Sequence, residues 1–230
     1  ELGGNRYHDH GDLWHGPWEW EVERDDGYEA TIYLRRHAVA LPCLMEKWIT
    51  VRRDGLEVAF RHRLSNLGTR PEPYTWGLHV AHAIAPTSRI LLPATRLAVV
   101  DPGTSRFGAG CDEVAWPVHE GEDIQRVLGP ERGLTEWLYA LDLREGSCAV
   151  VHENGLGLAL AFDPAVFKTV WTWGVYGGWR GHYVLLTEPS TGPPGGLTAS
   201  VAAGTASLIG PGAVLETAVV ATVLEGQAAT

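Results

Sequence analysis

Alternation of apolar and polar residues around short glycine-containing turns is the feature that most constrains the fold of this chain. In residues 48–64 the dipeptide Asp54-Gly55 separates two runs of strand-forming residues. An Asp-Gly pair accepts the positive φ angles of a type I′ turn. After the turn, five residues with a spacing of two share one face: Leu56, Val58, Phe60, His62 and Leu64. Because a helix would mix these faces, the segment is predicted to be a β-hairpin.

Three further hairpins are predicted in the same way. Their turns are Asp25-Asp26-Gly27, Asn154-Gly155 and Pro211-Gly212, and the third would join residues 197–209 to residues 213–224. Helical signals are weak, and only 163–168 and 135–138 could form a short helical turn. We therefore predict an all-β chain, built as a large antiparallel β-sandwich or as a barrel-like jelly roll, since one flat sheet would leave a whole face exposed.

Composition limits the classes of protein to which the chain can belong. It has 230 residues, 45% of them hydrophobic, with neither an internal repeat nor a linker, so we expect one domain over residues 1–230. A formal net charge of -10 argues against a nucleic-acid partner. No apolar run approaches the roughly 18 to 20 residues that cross a bilayer, so a soluble protein is expected. Because the sequence opens at Glu1 and soon enters a dense motif, we expect that an N-terminal portion is missing.

The cysteines indicate the compartment. Cys43, Cys111 and Cys148 cannot all pair, and none lies in a CxxC spacing. This pattern supports neither a disulfide framework nor a thiolate zinc site. We expect three small buried side chains and a reducing, cytoplasmic location.

Four segments interrupt the alternation with residues that are costly to bury. They are rich in His, Trp, Gly or a strand-end Glu, and they span residues 8–18, 74–84, 171–183 and 185–197. Indole rings can support the C–H faces of a pyranose, while imidazole and carboxylate groups bind its hydroxyls. An imidazole and a partly buried carboxyl group can also exchange protons near neutral pH. The segments therefore predict a small-molecule sugar as the ligand.

The same segments resemble the aldose 1-epimerase, or galactose mutarotase-like, family. The likeness runs from about residue 8 to about residue 222 and keeps the order of the motifs. These are Asp9-His10-Gly11-Asp12-Leu13-Trp14, Asn66-Leu67-Gly68, Pro73 to Ile84, Gly177-Gly178-Trp179, Glu188-Pro189-Ser190-Thr191-Gly192 and Leu208-Ile209-Gly210-Pro211-Gly212.

This resemblance implies a large antiparallel β-supersandwich and an enzyme that interconverts the α and β anomers of a free aldose or related sugar. His79 matches the acid that protonates the ring oxygen, and Glu188 matches the base that deprotonates the C1 hydroxyl. His10 matches a histidine that hydrogen-bonds the substrate. The implied reaction needs no metal and no organic cofactor. We also expect three further substrate contacts, of which Trp14 is the best candidate for stacking: Asp12, Trp14 and His82.

Alternatives remain open for several of these residues. His8 and His10, two apart, could share a metal ion or lie in an exposed loop. His79 and His82, three apart, should face opposite sides of a strand, and the resemblance favours His79 for the cleft. Trp171 and Trp173 should share one face and pack in the core.

Other functions are also compatible with the sequence. The same fold could form a noncatalytic sugar-binding or regulatory domain, or a metal-dependent sugar isomerase or lyase. A further substrate-binding acid could be Asp123, Asp142 or Asp163. The sequence leaves both the sugar and the oligomeric state undetermined.

Overall fold

A computed structural model describes residues 10–226 of the chain. These residues form two compact units, the first made of 10–75 and 195–222 and the second of 76–194 and 223–226. One α-helix is present in this part of the chain, α1 (Gly196–Ala202), together with 3-10 turns at Pro102–Thr104 and Pro130–Arg132. Within 10–226, no helix combines the length and apolar character needed to span a bilayer.

Eighteen β-strands account for most of the regular structure between residues 10 and 226. The first nine are β1 (Glu19–Asp25), β2 (Glu29–His37), β3 (Cys43–Arg52), β4 (Glu57–Asn66), β5 (Glu72–Tyr74), β6 (Val80–His82), β7 (Arg89–Leu91), β8 (Arg96–Val99) and β9 (Glu113–Ala115). The others are β10 (Val118–His119), β11 (Glu122–Asp123), β12 (Leu134–Ala140), β13 (Ser147–Val151), β14 (Gly157–Phe162), β15 (Thr169–Tyr176), β16 (Tyr183–Ser190), β17 (Ser207–Ile209) and β18 (Val214–Leu224). Their pairing is antiparallel, which confirms the all-β prediction.

The first unit contains an antiparallel ladder in the order β1-β2-β3-β4-β18. Two predicted hairpins are confirmed here, β1-β2 around Asp25-Asp26-Gly27 and β3-β4 around Asp54-Gly55. The predicted alternation along β4 is also confirmed, because His62 and Leu64 are buried whereas Arg61 is exposed. Local turn chemistry and a period of two therefore suffice to define these two hairpins.

The predicted hairpin around Pro211-Gly212 is wrong. Residues 196–202 form α1, β17 pairs with β5, and β18 pairs with β4. The segment that enters α1 is rich in alanine and lacks the alternation of a strand, so it gains more from helical hydrogen bonds. The turn itself is held by Asn66, whose Nδ2 donates to the carbonyl oxygen of Ile209 at 3.0 Å and whose own carbonyl oxygen accepts from the Gly212 N–H at 3.1 Å.

The second unit contains a six-stranded antiparallel sheet in the order β6-β16-β15-β12-β8-β9 and a ladder in the order β14-β13-β7. The predicted hairpin around Asn154-Gly155 is confirmed as β13-β14. The helical turn considered for 135–138 is wrong, because these residues lie within β12 and alternate between buried and half-buried. Residues 163–168 do form a hydrogen-bonded turn, in which the Phe167 N–H donates to the Asp163 carbonyl oxygen at 2.9 Å.

The cysteines follow the prediction at two positions. Cys43 and Cys148 are buried, whereas Cys111 is half-buried, and all three are free thiols. Burial raises the pKa of the Cys148 thiol to about 12, which keeps it protonated and unreactive at neutral pH.

Candidate functional site

The pairing of β6 with β16 brings together the two residues expected to perform the chemistry. Val80 pairs with Thr187. Continued by one residue, this register puts His79 directly opposite Glu188, and directly opposed residues of antiparallel strands share a face. The His79 Nε2 atom lies 3.9 Å from Glu188 Oε1. The structure thus places an imidazole and a carboxyl group side by side on one face of the sheet.

Backbone hydrogen bonds extend this pairing beyond the residues of β6. The Leu78 N–H donates to the Pro189 carbonyl oxygen at 3.0 Å, and the Thr191 N–H donates to the Trp76 carbonyl oxygen at 2.8 Å. In return, the Trp76 N–H donates to the Thr191 hydroxyl at 2.9 Å. Because hydrogen bonds lie on both sides of it, the backbone of His79 is held in register with that of Glu188.

Burial sets the protonation of Glu188. Only 12% of its side chain is exposed, whereas the side chain of His79 is 37% exposed. Burial raises the pKa of the Glu188 carboxyl from an ordinary 4.5 to about 7, since the ionised form loses hydration. A carboxyl group with this pKa can take up and release a proton near neutral pH.

Aromatic side chains lie beside this pair. Trp171 is directly opposite Glu188, and Trp137 is directly opposite Trp173, so register and alternation put all four side chains on one face. The ring centroids of Trp137 and Trp171 are 6.1 Å apart. We call the surface formed by Trp137, Trp171, Trp173 and Glu188 the indole face.

The position of the tryptophans corrects part of the sequence interpretation. Trp171 and Trp173 do share one face, but they are half-buried beside Glu188 and are not core residues. Trp171 is fixed by its Nε1–H, which donates to the Gly192 carbonyl oxygen at 2.9 Å. The sequence reasoning also missed Trp137. The sequence feature that could have indicated Trp137 is its alternation with Tyr139 along β12, but this feature becomes informative only once the pairing of β12 with β15 is known.

His82 lies on the other face of the sheet, as its spacing from His79 predicts. It is buried, and its Nε2 lies 2.8 Å from the Thr187 Oγ1 atom. Burial, with a smaller contribution from the charge of His152, lowers the pKa of the His82 imidazole to about 4, so it is neutral at physiological pH. This position argues against the expected contact between His82 and a ligand on the indole face.

Asp12, in the first unit, holds backbone groups. Its Oδ2 atom accepts hydrogen bonds from the Val39 N–H at 2.9 Å and the Ala40 N–H at 2.5 Å. These bonds fix the position of the segment that contains Asp12. Its assignment as a substrate contact stays a prediction.

His10 and Trp14 form an aromatic pair in the first unit. Their ring centroids are 5.5 Å apart, and Trp14 is exposed. Their assignment as substrate contacts also stays a prediction. His8, the other residue of the suggested metal site, lies outside the described residues. Among the residues that are described, no three His, Cys, Asp or Glu side chains are arranged to hold a metal ion.

The three aspartates considered as further substrate-binding acids all have contacts within the second unit. Asp123 forms an ion pair with Arg89 at 2.7 Å. Asp142 accepts a hydrogen bond from the Thr95 N–H at 2.9 Å, and Asp163 accepts from a backbone N–H two residues further on. Each of these carboxylates thus holds local structure.

Comparison with known proteins gives matches at the level of structure. No protein-family model matches the sequence, and no curated protein matches it. Among solved structures, the Slr1438 protein of Synechocystis sp. PCC 6803 superposes with a TM-score of 0.72 at 18% identity, over 96% of this chain and 70% of that one.

Two further structures carry informative names. A candidate aldose 1-epimerase from Klebsiella pneumoniae has a TM-score of 0.71 at 16% identity, and the match covers 91% of this chain and 54% of that one. A galactose mutarotase related enzyme from Lactobacillus acidophilus has a TM-score of 0.60 at 12% identity, over 96% and 76% of the two chains.

This chain has the galactose mutarotase-like fold. The predicted fold class is therefore confirmed. The chain spans only about half the length of the Klebsiella pneumoniae protein. At these levels of identity the likeness establishes the fold alone.

Proposed function

We propose that this protein is an aldose 1-epimerase-like enzyme that interconverts the α and β anomers of a free sugar, with His79 and Glu188 as its acid and base. The observation that carries the proposal is the 3.9 Å separation of His79 Nε2 and Glu188 Oε1 on the indole face. A sugar resting on the indoles would present its ring oxygen and its C1 hydroxyl to two neighbouring proton-transfer groups.

The reaction needs two coupled proton transfers. Glu188 takes the proton of the C1 hydroxyl, and the electron pair of that O–H bond forms the C1 carbonyl. The bond between C1 and the ring oxygen breaks, and its electron pair accepts a proton from His79. Rotation about the C1–C2 bond then presents the other face of the aldehyde. Ring closure, with the two residues in reversed roles, gives the other anomer and restores both protonation states.

The raised pKa of Glu188 suits this role. General acid–base catalysis is most effective when the pKa of the group lies near the working pH, and the pKa of this carboxyl is about 7. The same burial removes water that would compete for the C1 hydroxyl. Trp171, directly opposite Glu188, supplies the flat apolar surface on which a pyranose can rest.

The test is anomer exchange measured by polarimetry and by saturation-transfer NMR on a panel of aldoses, with buffer-catalysed exchange as the blank. General acid–base groups contribute about 10²- to 10⁴-fold to a rate, so Glu188→Gln and His79→Gln should each lower kcat by about 100-fold or more with little change in KM. Glu153→Gln and His37→Gln serve as matched controls, because both side chains are exposed and lie outside the indole face.

The outcome separates catalysis from binding. Acceleration for at least one aldose that is lost in Glu188→Gln and kept in Glu153→Gln supports the enzyme. If the folded protein binds sugars but accelerates exchange for none of them, the noncatalytic binding domain replaces this proposal.

A further inference from the structure

Trp179 extends the indole face beyond the residues that the proposed chemistry uses. It lies in the hairpin that connects β15 to β16, with its ring centroid 5.7 Å from that of Trp173 and 5.1 Å from that of His182. In spite of these neighbours, 46% of Trp179 is exposed. The chain thus keeps a large aromatic ring partly in contact with water next to Trp173.

Backbone hydrogen bonds hold this exposed ring in place. The Gly177 N–H donates to the His182 carbonyl oxygen at 2.9 Å, and the His182 N–H donates to the Trp179 carbonyl oxygen at 3.0 Å. Gly177 adopts a φ of 82°, a left-handed conformation that favours glycine. The position of Trp179 is therefore set by the turn.

The aromatic surface is longer than one sugar ring. Trp173 follows Trp171 by two residues, about 7 Å along the strand. Trp179 adds a further 5.7 Å between ring centroids, at the end of the strand away from Trp171. A pyranose placed over Trp171 beside Glu188 would leave Trp173 and Trp179 uncovered.

Polar donors border the outer end of this surface. The Arg180 guanidinium carbon lies 5.2 Å from the Trp179 ring centroid, and the His182 ring stacks at a tilt of 30°. Guanidinium and imidazole N–H groups can donate to hydroxyl oxygens while the indole contacts C–H groups. The outer end of the face thus combines an aromatic ring with hydrogen-bond donors.

We propose that Trp173 and Trp179 form a second sugar subsite, so that the preferred ligand is a di- or oligosaccharide with its reducing end at His79 and Glu188. The assignment of the reducing end rests on the proposed function, whereas the subsite itself rests on the aromatic geometry. The sugar next to the reducing end occupies the subsite and stacks on Trp179.

The test is isothermal titration calorimetry with monosaccharides and their matched disaccharides: glucose with maltose and cellobiose, galactose with galactobiose, mannose with mannobiose, and xylose with xylobiose. Stacking on one exposed ring should make at least one disaccharide bind about 10-fold more tightly than its monosaccharide. Trp179→Ala should abolish that gain and leave monosaccharide affinity unchanged, while Trp179→Phe, which keeps an aromatic face, should retain most of it. Circular dichroism checks that both variants are folded.

The subsite and the enzyme can fail independently. The subsite is overturned if no disaccharide in the panel binds more tightly than its monosaccharide, or if the gain survives Trp179→Ala. A gain that depends on Trp179 without any anomer exchange supports the subsite and refutes the proposed function. Anomer exchange of monosaccharides without such a gain supports the function and refutes the subsite.

Discussion

Replacing Glu188 by glutamine should stabilise the fold while it removes the proposed base. The pKa of this buried carboxyl is about 7 in the folded chain against an ordinary value of 4.5. Folding therefore disfavours its ionised form. Glutamine has nearly the same shape and carries no charge, so Glu188→Gln removes the cost of burying the carboxylate.

The size of the effect follows from linkage. One step in pKa corresponds to about 1.4 kcal/mol at 25 °C, so the separation of the two values above amounts to roughly 3 kcal/mol. Below pH 4.5 the carboxyl is protonated in both the folded and the unfolded chain, so its burial does not lower the free energy of unfolding. Between pH 4.5 and about 7 the folded chain binds more protons than the unfolded chain, so stability falls as the pH rises. Above pH 7 the full cost is present.

Urea unfolding followed by circular dichroism at a series of pH values from 4 to 9 tests this prediction. The free energy of unfolding of Glu188→Gln minus that of the unsubstituted protein should rise through this window and level off above pH 7. Glu153→Gln, a substitution of an exposed glutamate, should give a difference that does not vary with pH in this way. Parallel stability curves for Glu188→Gln and the unsubstituted protein would refute the reasoning, because Glu188 would then ionise as readily in the folded chain as in the unfolded one.

Three further outcomes are expected. The rate of anomer exchange, measured by polarimetry, should follow a bell-shaped pH profile, because the reaction needs Glu188 ionised and His79 protonated. Its rising limb should have a midpoint near 7 as Glu188 ionises, and a profile without that limb would contradict the role of Glu188 as the base. Glu136→Gln should lower the free energy of unfolding in urea by about 3 to 5 kcal/mol, because the Arg106 and Glu136 side chains are only 6% and 4% exposed and Arg106 would keep only the exposed Glu122, 3.9 Å away, as an acidic partner. A loss below about 1 kcal/mol would count against this. Gly77→Ala should reduce kcat and lower the free energy of unfolding by about 1 to 3 kcal/mol, because the new Cβ would lie 2.5 Å from Ser190 Oγ, beside the strand that holds His79. Unchanged kinetics and stability would show that the strand adapts to the added methyl group.

The parts of the fold that could be predicted from sequence are those fixed by local turns. Asp54-Gly55 and Asn154-Gly155 define hairpins between adjacent segments, and the structure contains both. Around Pro211-Gly212 the same reasoning failed, because the partner of β18 is β4, a strand about 150 residues earlier in the sequence. A turn dipeptide specifies that the chain reverses but not which strand it will pair with.

The candidate site could likewise be predicted from sequence only where it depends on local segments and not on strand pairing. The segments that contain His79 and Glu188 could be singled out from their own residues, whereas the choice of His79 over His82 came from the family resemblance. Spacing alone predicts that His82 faces away from His79. The indole face could not be predicted, because Trp171 and Trp173 lie on the Glu188 side only through the register between β15 and β16. In isolation their spacing of two is equally compatible with the core position that the sequence predicts.

The proposed chemistry also depends on the register between β6 and β16. A slip of one residue between β6 and β16 would turn the His79 side chain away from Glu188. The hydrogen bonds from Leu78 to Pro189 and between Trp76 and Thr191 oppose such a slip on one side, and the pairing of Val80 with Thr187 opposes it on the other. The distance between the acid and the base is thus set by backbone pairing and not by a direct bond between them.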